Sequence, residues 1–381
     1  MTNPILDPLT LANGVTLSNR VMMAPMCDRS ADTHGRVTDA QVNYMKARSN
    51  VAGILVTGYA AVSAAGLVEP GQLSVATDDT ILGLKRYAAA MNHHHNKAIL
   101  QLSHGGRESK VSQANGLTVY APSARDFPWL AYPVAKMTES DIQQVVNDFA
   151  TATKRAMAAG FDGVEIHNCN HDLLQQFFSS YSNRRTDAWG GSLNKRAALP
   201  LAVLQAVADT IKQAHRPDFI LGLRISPEEI HGQTVGYTID DMLTQIKAAK
   251  KIGFDYLNVS LTGAQYNYEA VPANHTATFA QLLRQALSQS IPVFIGSQIH
   301  TAADGRRARQ LADGFYIARA ALIDPQFTPK IAAGKEANIV TTMANQRILN
   351  VQLPQPLIAT YLDPNGYGGA IPLPGLTPTA G

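Results

Sequence analysis

Eight short apolar runs recur along the chain, and each is closed by glycine, proline or polar residues. They are RVMMAP (20–25), GILVTG (53–58), AILQL (98–102), DGVEIH (162–167), FILGLRI (219–225), YLNVS (256–260), PVFIG (292–296) and GFYIA (314–318). The runs are nearly continuous rather than alternating, which is typical of strands that are buried on both faces of a parallel sheet.

Helix-like stretches separate these runs. Thr38 and Thr138 stand where helix caps are expected, Asp141 gives Thr138 the capping-box spacing, and Gly160 marks a helix end. Eight strands, each followed by a helix, predict an α/β fold of the (β/α)8 TIM-barrel class in a single domain. A doubly wound open sheet is the alternative, but the glycine fingerprint that usually follows its first strand is absent from APMCDRS (24–30).

Two segments fall outside this repeat. Residues 105–137 form a long connection after the third strand, with Trp129 and Tyr132 in it, and a loop of this length predicts a functional cover. The C-terminal tail GYGGAIPLPGLTPTAG is rich in glycine and proline, so we expect it to be irregular. We therefore expect a barrel over residues 1–335 and an extension over residues 336–381.

Composition excludes several other classes. Of 381 residues, 45% are hydrophobic and 16% charged, with a net charge of +3, which is typical of a globular protein with a large core. The basic run GRRARQ (305–310) resembles a solvated helix face, so we expect no nucleic-acid partner. We expect no membrane span and no signal peptide. Two cysteines, Cys27 and Cys169, cannot form a disulfide framework, which favours a cytoplasmic location; a homo-oligomer stays open.

Functional residues of such barrels lie at the carboxyl ends of the strands. Here those ends carry a thiol, an amide, a histidine and two arginines. The turns after the last two strands, Gly296-Ser297 and Ala318-Arg319, could bind phosphate through backbone N–H groups and the Arg319 charge. Gly296 could instead be only a tight turn, and Arg319 a surface ion pair.

Three of these strand-end residues allow two interpretations each. Arg224 lies in an apolar strand, so it needs an anion: either a carboxylate such as Glu165 or a ligand that becomes anionic. Gln101 could satisfy backbone groups or read a heterocycle. Cys27 taken alone is more typical of a packed small hydrophobe than of a reactive thiol.

The stretch EIHNCNHDLL (165–174) concentrates polar residues after the fourth strand. His167, Cys169 and His171 alternate, so on a straight strand they would face one way and could bind zinc. However, His167 ends the strand, no second Cys/His pair lies nearby, and the HHH run (93–95) is typical of an exposed helix end. We therefore expect no metal site.

Several stretches together resemble the Old Yellow Enzyme family of FMN-dependent NAD(P)H oxidoreductases, often called ene reductases. They cover most of residues 15–325 in the family's order: LSNRVMMAPMC, GILVTGYAAVSAAG, ILQLSHGGR, APSA, MTESDI, AGFDGVEIHNCNHDLLQQFFSSYSNRRTDAWGGSLNKR, LGLRISPEE and ADGFYIARAALIDP. SNRRTDAWGGSLNKR (182–196) is especially specific. The resemblance implies a barrel fold, FMN as cofactor and NAD(P)H as reductant.

The resemblance also implies roles for the strand-end residues. The flavin ring is lined by a run of four residues, Ala24, Pro25, Met26 and Cys27. Cys27 matches the thiol of a bacterial subclass, where it tunes the flavin potential, and Tyr59 approaches the ring through its backbone. Gln101 matches the amide that reads the pyrimidine ring, and Arg224 matches the arginine beside flavin N1. The phosphate loops are matched by Gly296, Ser297, Ala318 and Arg319.

His167 and Asn170 match the family's substrate-binding pair. Both donate to one substrate oxygen, which gains negative charge as hydride adds to the β-carbon. Two residues after Asn170 the family usually has a tyrosine that protonates the α-carbon, but here this catalytic position is Asp172. The subclass tyrosine two residues after Cys27 is also missing and is Arg29 here.

Asp172 is the sharpest departure from the family. A tyrosine is protonated at neutral pH, whereas an ordinary aspartate is not. If the imidazolium of His171 faces Asp172, it favours the charged carboxylate. We therefore expect Asp172 to be no proton donor, with water or a tyrosine such as Tyr59 or Tyr266 in its place.

Reduction of an unsaturated carbonyl or nitro compound is the function that the resemblance implies. An NADH oxidase, or a flavin or quinone reductase with weak activity on enones, is the alternative within the family. A non-redox barrel lyase or isomerase is the alternative from a different class, but no strand end carries a Schiff-base lysine.

Overall fold

Eight parallel strands close into a barrel in the computed structural model, which describes residues 3–94, 96–261 and 266–377. We label them β1 Val21–Met23, β2 Ile54–Val56, β3 Lys97–Ser103, β4 Gly163–Asn168, β5 Ile220–Ile225, β6 Tyr256–Val259, β7 Val293–Ile295 and β8 Gly314–Ile317. Each pairs with the next, and β8 returns to β1. The predicted barrel and all eight predicted strands are confirmed.

Helices surround the barrel and fill the connections between strands. The α-helices are Asp39–Arg48, Ile81–Met91, Lys110–Ala114, Glu139–Ala158, Leu173–Phe178, Leu193–Arg196, Ala198–Gln213, Ile239–Ile252, Phe279–Ala286, Ala302–Leu311, Arg319–Ile323, Phe327–Ala332, Gln355–Leu362 and Tyr367–Ala370. Short 3-10 helices span Ala64–Gly66, Asp78–Thr80, Asn92–His94, Gly106–Glu108, Glu336–Asn338 and Asn345–Arg347. The predicted caps Thr38 and Thr138 both form capping boxes. Within the described ranges, no helix has the length and apolar character needed to cross a membrane.

Shorter strands decorate the barrel. Leu9–Thr10 pairs antiparallel with Thr16–Leu17, and Glu229–His231 pairs antiparallel with Thr234–Tyr237. The remaining short strands pair in parallel: Ala60–Ala61 with Leu73–Ser74 and with β3, and Tyr120–Ala121 with Ala135–Lys136. The hairpin after β5 reaches the rim on which the polar strand ends lie, because His231 lines a cavity there together with His167.

The barrel interior is apolar towards the amino ends of the strands and polar towards their carboxyl ends. One buried cluster combines the N-terminal hairpin with inward strand residues: Leu9, Leu11, Leu17, Met22, Ala24, Ile54, Val56, Ile99, Ile220, Tyr256, Phe294 and Tyr316. Because every second side chain along a strand faces the same way, Gln101 and Glu165 point into the barrel directly after apolar or small residues. Glu165 accepts hydrogen bonds from Gln101 Nε2 (2.6 Å) and Asn258 Nδ2 (3.0 Å). The polar rim thus stands on a closed apolar floor.

The two segments outside the repeat both carry some structure. Residues 105–137 enclose a small apolar cluster of Val119, Ala121, Phe127 and Val134. The tail is predicted to be irregular, but Tyr367–Ala370 is a short helix and Leu373 is buried. Residues 378–381 of the tail lie outside the described residues.

Phe294 tests the apolar floor. Its ring is fully buried and packs edge-on against Tyr256 at 5.7 Å. We expect Phe294→Ala to lower the free energy of unfolding by about 3–5 kcal/mol, because it leaves a cavity in a packed core. Leu82→Ala is the control, since Leu82 is 74% exposed and should change stability by less than about 0.5 kcal/mol. Denaturant unfolding of both variants measures the difference, and equal midpoints would contradict this account of the floor.

Candidate active site at the carboxyl ends of the strands

An inner cavity of about 550 Å³ opens at the carboxyl ends of the barrel strands. It is lined by ten of the eleven residues that the resemblance places around FMN: Ala24, Pro25, Met26, Cys27, Tyr59, Gln101, Arg224, Ser297, Ala318 and Arg319. His167 and Asn170 line it as well. Gly296 does not, and a Cβ there would lie 2.1 Å from the Tyr316 ring, which does line the cavity. Gly296 therefore makes room for Tyr316.

Arg224 is a buried cation without a carboxylate partner. Its Nη2 donates to Ser260 Oγ at 3.1 Å, and its Nε has no hydrogen-bond partner among the described residues. Among the described residues no carboxylate pairs with Arg224, and Glu165 is instead held by two amides. The alternative in which Glu165 pairs with Arg224 is therefore wrong. A buried charge of this kind is costly unless an anion compensates it, so the arginine fits an anionic group in the cavity.

The cavity wall formed by the turns after β7 and β8 fits a phosphate. Ser297 and Gln298 both have left-handed backbone conformations, with φ of 76° and 59°, and such turns point successive N–H groups to one side. Arg319 lines the same cavity and donates from Nη1 to the carbonyl oxygen of Pro372 at 2.9 Å. Arg319 therefore forms no surface ion pair with a described residue, and the C-terminal segment holds it at the cavity.

Cys27 and Gln101 sit deep in the cavity wall. Burial, together with the charges of Glu69 and Asp28, raises the pKa of Cys27, so the thiol keeps its proton. This agrees with a packed small side chain rather than a nucleophile. Gln101 uses one amide proton for Glu165, which leaves the rest of the amide for a ligand.

His167 forms an ion pair with Asp172. The distance from His167 Nδ1 to Asp172 Oδ2 is 2.9 Å, and both side chains are buried, although the contact lacks the direction of a good hydrogen bond. Burial lowers the pKa of His167, but the interactions with Cys169 and Asp172 outweigh it and raise this pKa to about 10. The condition that the imidazolium of His171 faces Asp172 is not met, because His171 Nδ1 lies 3.7 Å from Glu229 Oε2.

The imidazolium of His167 and the amide of Asn170 together form a pair of hydrogen-bond donors. Asn170 Oδ1 accepts from Ser260 Oγ at 2.9 Å, which turns the amide nitrogen towards His167 Nε2 at 3.2 Å. When His167 is cationic, its Nε2 and the amide nitrogen of Asn170 both carry protons, so neither nitrogen can accept a hydrogen bond from the other. Two such donors fit a single oxygen between them, and they favour one that carries negative charge.

A strained turn sets this geometry. Strand β4 ends at Asn168, and Asn170 and His171 then adopt left-handed conformations with φ of 55° and 66°. The turn breaks the alternation, so the zinc set of His167, Cys169 and His171 does not form. Among the described residues, His171 instead belongs to a group with Glu229 and His231. His93 and His94 are exposed, and His95 lies outside the described residues.

The C-terminal segment supplies cavity residues that the sequence did not predict: Leu357, Tyr361, Tyr367, Ala370, Ile371 and Pro372. Tyr367 packs edge-on against Tyr361 at 5.4 Å, and the guanidinium of Arg29 lies 5.7 Å from the Tyr367 ring. The only signal was the presence of aromatic residues in a tail that is otherwise rich in glycine and proline. Arg29, at the position of the missing subclass tyrosine, also pairs with Glu69 at 2.5 Å.

An outer cavity of about 520 Å³ adjoins the inner one, and both are lined by Tyr59, His167, Asn170 and Tyr367. Asp172, His171 and His231 line only the outer cavity. Trp129 adds a wall from the long connection after β3. The Tyr59 ring stacks on His167, with centroids 5.8 Å apart. The donor pair therefore lies where the two cavities meet.

The sequence matches the profile of the NADH:flavin oxidoreductase / NADH oxidase family over residues 4–338. The chain belongs to this family, which is the Old Yellow Enzyme family. It is an NAD(P)H-dependent flavin oxidoreductase that uses FMN. The uncompensated Arg224 charge and the turn at Ser297 fit the anionic ends of that cofactor.

Several members of the family can be compared with this chain. The probable NADH-dependent flavin oxidoreductase YqiG of Bacillus subtilis (strain 168) is 34% identical over 368 residues, covering 96% of this chain and 97% of the relative. The NADH:acrylate oxidoreductase of Vibrio harveyi is 34% identical over 93% of this chain, but only 35% of that protein is matched. Morphinone reductase in complex with tetrahydroNAD superposes with a TM-score of 0.74 at 25% identity, covering 87% of this chain and 91% of that one.

Replacing Asp172 by Asn should lower the pKa of His167 by roughly 1–3 pH units, because a partner charge is lost. In the parent protein, the protonated form of His167 stabilises the fold. This contribution is complete below a pH of about 6.5 and is lost as the pH rises through about 10. The difference in unfolding free energy between parent and variant should therefore shrink at alkaline pH. NMR titration of the histidine ring carbons measures the pKa, with His167→Gln identifying the signal. An identical titration in both proteins would contradict the ion pair.

Proposed function

We propose that the inner cavity of this protein would hold FMN and that the protein uses NAD(P)H to reduce an acceptor whose oxygen binds between His167 and Asn170. The observation that carries the proposal is the pair of donors, 3.2 Å apart, at the junction of the two cavities. FMN, when bound, supplies the hydride chemistry. The protein's own residues hold the cofactor, orient the acceptor and control protons.

We assign the cofactor contacts to the residues around the inner cavity. Arg224 would compensate negative charge on the flavin ring, and Gln101 would bind its pyrimidine edge. Ser297 and Arg319 would hold the phosphate, while the run from Ala24 to Cys27 would pack against the ring. Supporting this assignment are the unpaired Nε of Arg224 and the left-handed turn at Ser297. We also propose that residues 336–381 act as an extension that completes this cavity, because Tyr361 and Tyr367 line it.

The ion pair with Asp172 makes His167 a stronger donor than a neutral imidazole. A cationic donor in a buried site stabilises an oxygen that gains negative charge more than it stabilises the neutral ground state. Ser260 keeps the amide of Asn170 pointing the same way. The pair would therefore lower the barrier for acceptors that carry a carbonyl, nitro or quinone oxygen.

Asp172 is engaged with His167, so it is poorly placed to protonate a substrate carbon. Tyr266 donates its hydroxyl to Glu228 at 2.6 Å, which occupies that proton. Tyr59 is different: its hydroxyl makes no hydrogen bond with any residue that the structure describes, and its ring lies beside His167 in both cavities. Burial, with the charges of Cys27 and Glu69, raises the pKa of Tyr59. We therefore assign the proton-donor role to Tyr59.

The acceptor class follows from this arrangement. We propose electron-poor alkenes conjugated to a carbonyl or nitro group as acceptors. The Vibrio relative is named for acrylate, but this chain matches about a third of that protein, so the name does not locate alkene reduction in the matched part. Reduction of free flavin or quinones is the second candidate. It is favoured by Asp172 at the usual tyrosine position, because such acceptors need no positioned carbon acid.

Arg224→Gln tests the cofactor site. Loss of the only buried cation that we assign to the flavin ring should weaken FMN binding at least about tenfold and lower the flavin potential, since a positive charge favours the reduced anion. Arg216→Gln is the matched control, because Arg216 pairs with Asp218 on the surface. FMN fluorescence titration and spectroelectrochemistry give the two quantities. Unchanged affinity and potential would remove Arg224 from the proposed role.

Tyr59→Phe and Asp172→Tyr separate the two acceptor classes. With pre-reduced enzyme and cyclohexenone, Tyr59→Phe should slow reoxidation on the order of 10²-fold or more, whereas quinone reduction should change little. Asp172→Tyr adds a hydroxyl at the usual donor position but removes the partner of His167, so it should accelerate the enone reaction only where proton donation limits the rate. Stopped-flow spectroscopy of the oxidative half-reaction measures both. If Asp172→Asn rather than Tyr59→Phe abolishes enone reduction, with a rate that falls as pH rises, Asp172 is the acid.

A further inference from the structure

Two histidines and a glutamate meet at the mouth of the outer cavity. His171 comes from the turn after β4, while Glu229 and His231 come from the hairpin after β5. One nitrogen of each ring and one carboxylate oxygen all lie within 4.8 Å of one another. His231 Nε2 is 3.2 Å from Glu229 Oε1, and His171 Nδ1 is 3.7 Å from Glu229 Oε2. The carboxylate therefore lies between the two imidazoles, with one oxygen towards each.

The glutamate is held firmly in this position. Glu229 is 2% exposed, and Ser179 Oγ donates to Oε1 at 2.7 Å while Gln175 Nε2 donates to Oε2 at 2.8 Å. Nearby groups that orient a ligand in this way are a regular feature of metal sites in proteins. A carboxylate that served only as a counter-ion for an exposed histidine would not need to be buried and fixed by two further donors.

Gln175 also sets the orientation of His171. Its Oε1 accepts from the backbone N–H of His171 at 2.9 Å, which turns Nε2 towards His171 Nδ1 at 3.4 Å. A nitrogen that faces an amide donor presents its lone pair. This lone pair faces Gln175 Nε2, and a metal ion bound by Nδ1 would replace that 3.4 Å contact. Glu229 Oε2 lies 3.7 Å away, beyond hydrogen-bond distance.

We infer that His171, Glu229 and His231 bind a divalent transition-metal ion such as Zn²⁺. Two imidazoles and one carboxylate are a ligand set that suits zinc and its neighbours, and three protein ligands leave a coordination position open. His171 and His231 both line the outer cavity, so the open position faces the space next to the donor pair. Water or an anionic oxygen of a bound molecule can fill it.

The geometry needs only a local adjustment. Metal–ligand distances of about 2.0–2.2 Å require the ligand atoms to be roughly 3.3 Å apart, which is closer than the widest separation here. Glu229 is fixed, but the side chains of His171 and His231 are 42% and 36% exposed and can rotate towards it. Tyr181 packs on the His231 ring at 4.9 Å and limits this rotation to one side. This inference does not depend on the proposed acceptor.

Zinc titration of the FMN-loaded protein by calorimetry tests the site, and Co²⁺ absorption at wavelengths beyond the flavin bands tests its coordination. We expect one ion per chain at this site. His231→Gln and Glu229→Gln should each weaken binding at least tenfold and abolish the cobalt spectrum. His171→Asn should do the same, because Asn tolerates the left-handed backbone there and removes only the imidazole.

A matched control is provided by the exposed histidine run. The double variant His93→Gln/His94→Gln removes surface histidines that could bind zinc weakly, and it should leave the cobalt spectrum intact. If Glu229→Gln fails to fold, His231→Gln decides alone, since His231 lies on an exposed hairpin. The inference is overturned if the parent binds no ion. It is equally overturned if the His93/His94 variant loses the ion while His231→Gln keeps it.

Discussion

Closure of eight parallel strands into a ring is the constraint on which the rest of this structure depends. Each strand must present alternate side chains to the interior, and the carboxyl ends must all meet at one rim. The lower interior positions are filled by large apolar side chains such as Tyr256 and Phe294. The next positions along the same strand faces are Gln101, Glu165 and Arg224. These polar side chains therefore lie where the apolar interior ends and the rim begins.

Electrostatic balance at that floor favours an anionic ligand there. Glu165 is compensated by neutral amides from Gln101 and Asn258 and so leaves the Arg224 charge unpaired. On the neighbouring strand, His167 is the register partner of Arg224 and carries its own counter-ion in Asp172. One buried cation is thus satisfied by the protein and the other is not. Arg224 therefore favours an anionic ligand. His167 already has a counter-ion, so it can act on an acceptor without being neutralised by it.

The sequence predicted the positions of the site well and its internal partners poorly. Strand ends follow from short apolar runs, so the amino-acid pattern alone is enough to assign Cys27, Gln101, His167 and Arg224 to one rim. The partner of His167 could not be predicted in this way. The left-handed turn at Asn170 and His171 changes which of the following residues points back towards His167. Adjacency in the sequence left open whether His171 faces Asp172. In the structure Asp172 turns back to His167, and His171 reaches Glu229 on a different loop.

The C-terminal segment shows the same limit at longer range. Nothing local in a tail rich in glycine and proline indicates that Tyr361 and Tyr367 wall a cavity formed by strands far earlier in the chain. The link is the hydrogen bond from Arg319 to the carbonyl oxygen of Pro372, which ties the end of β8 to the tail. Because Arg319 also faces the cavity, a phosphate bound there would share this side chain with the tail. Residues at the end of β8 and in the tail thus meet at one side chain that lines the cavity, a long-range contact that no local sequence pattern encodes.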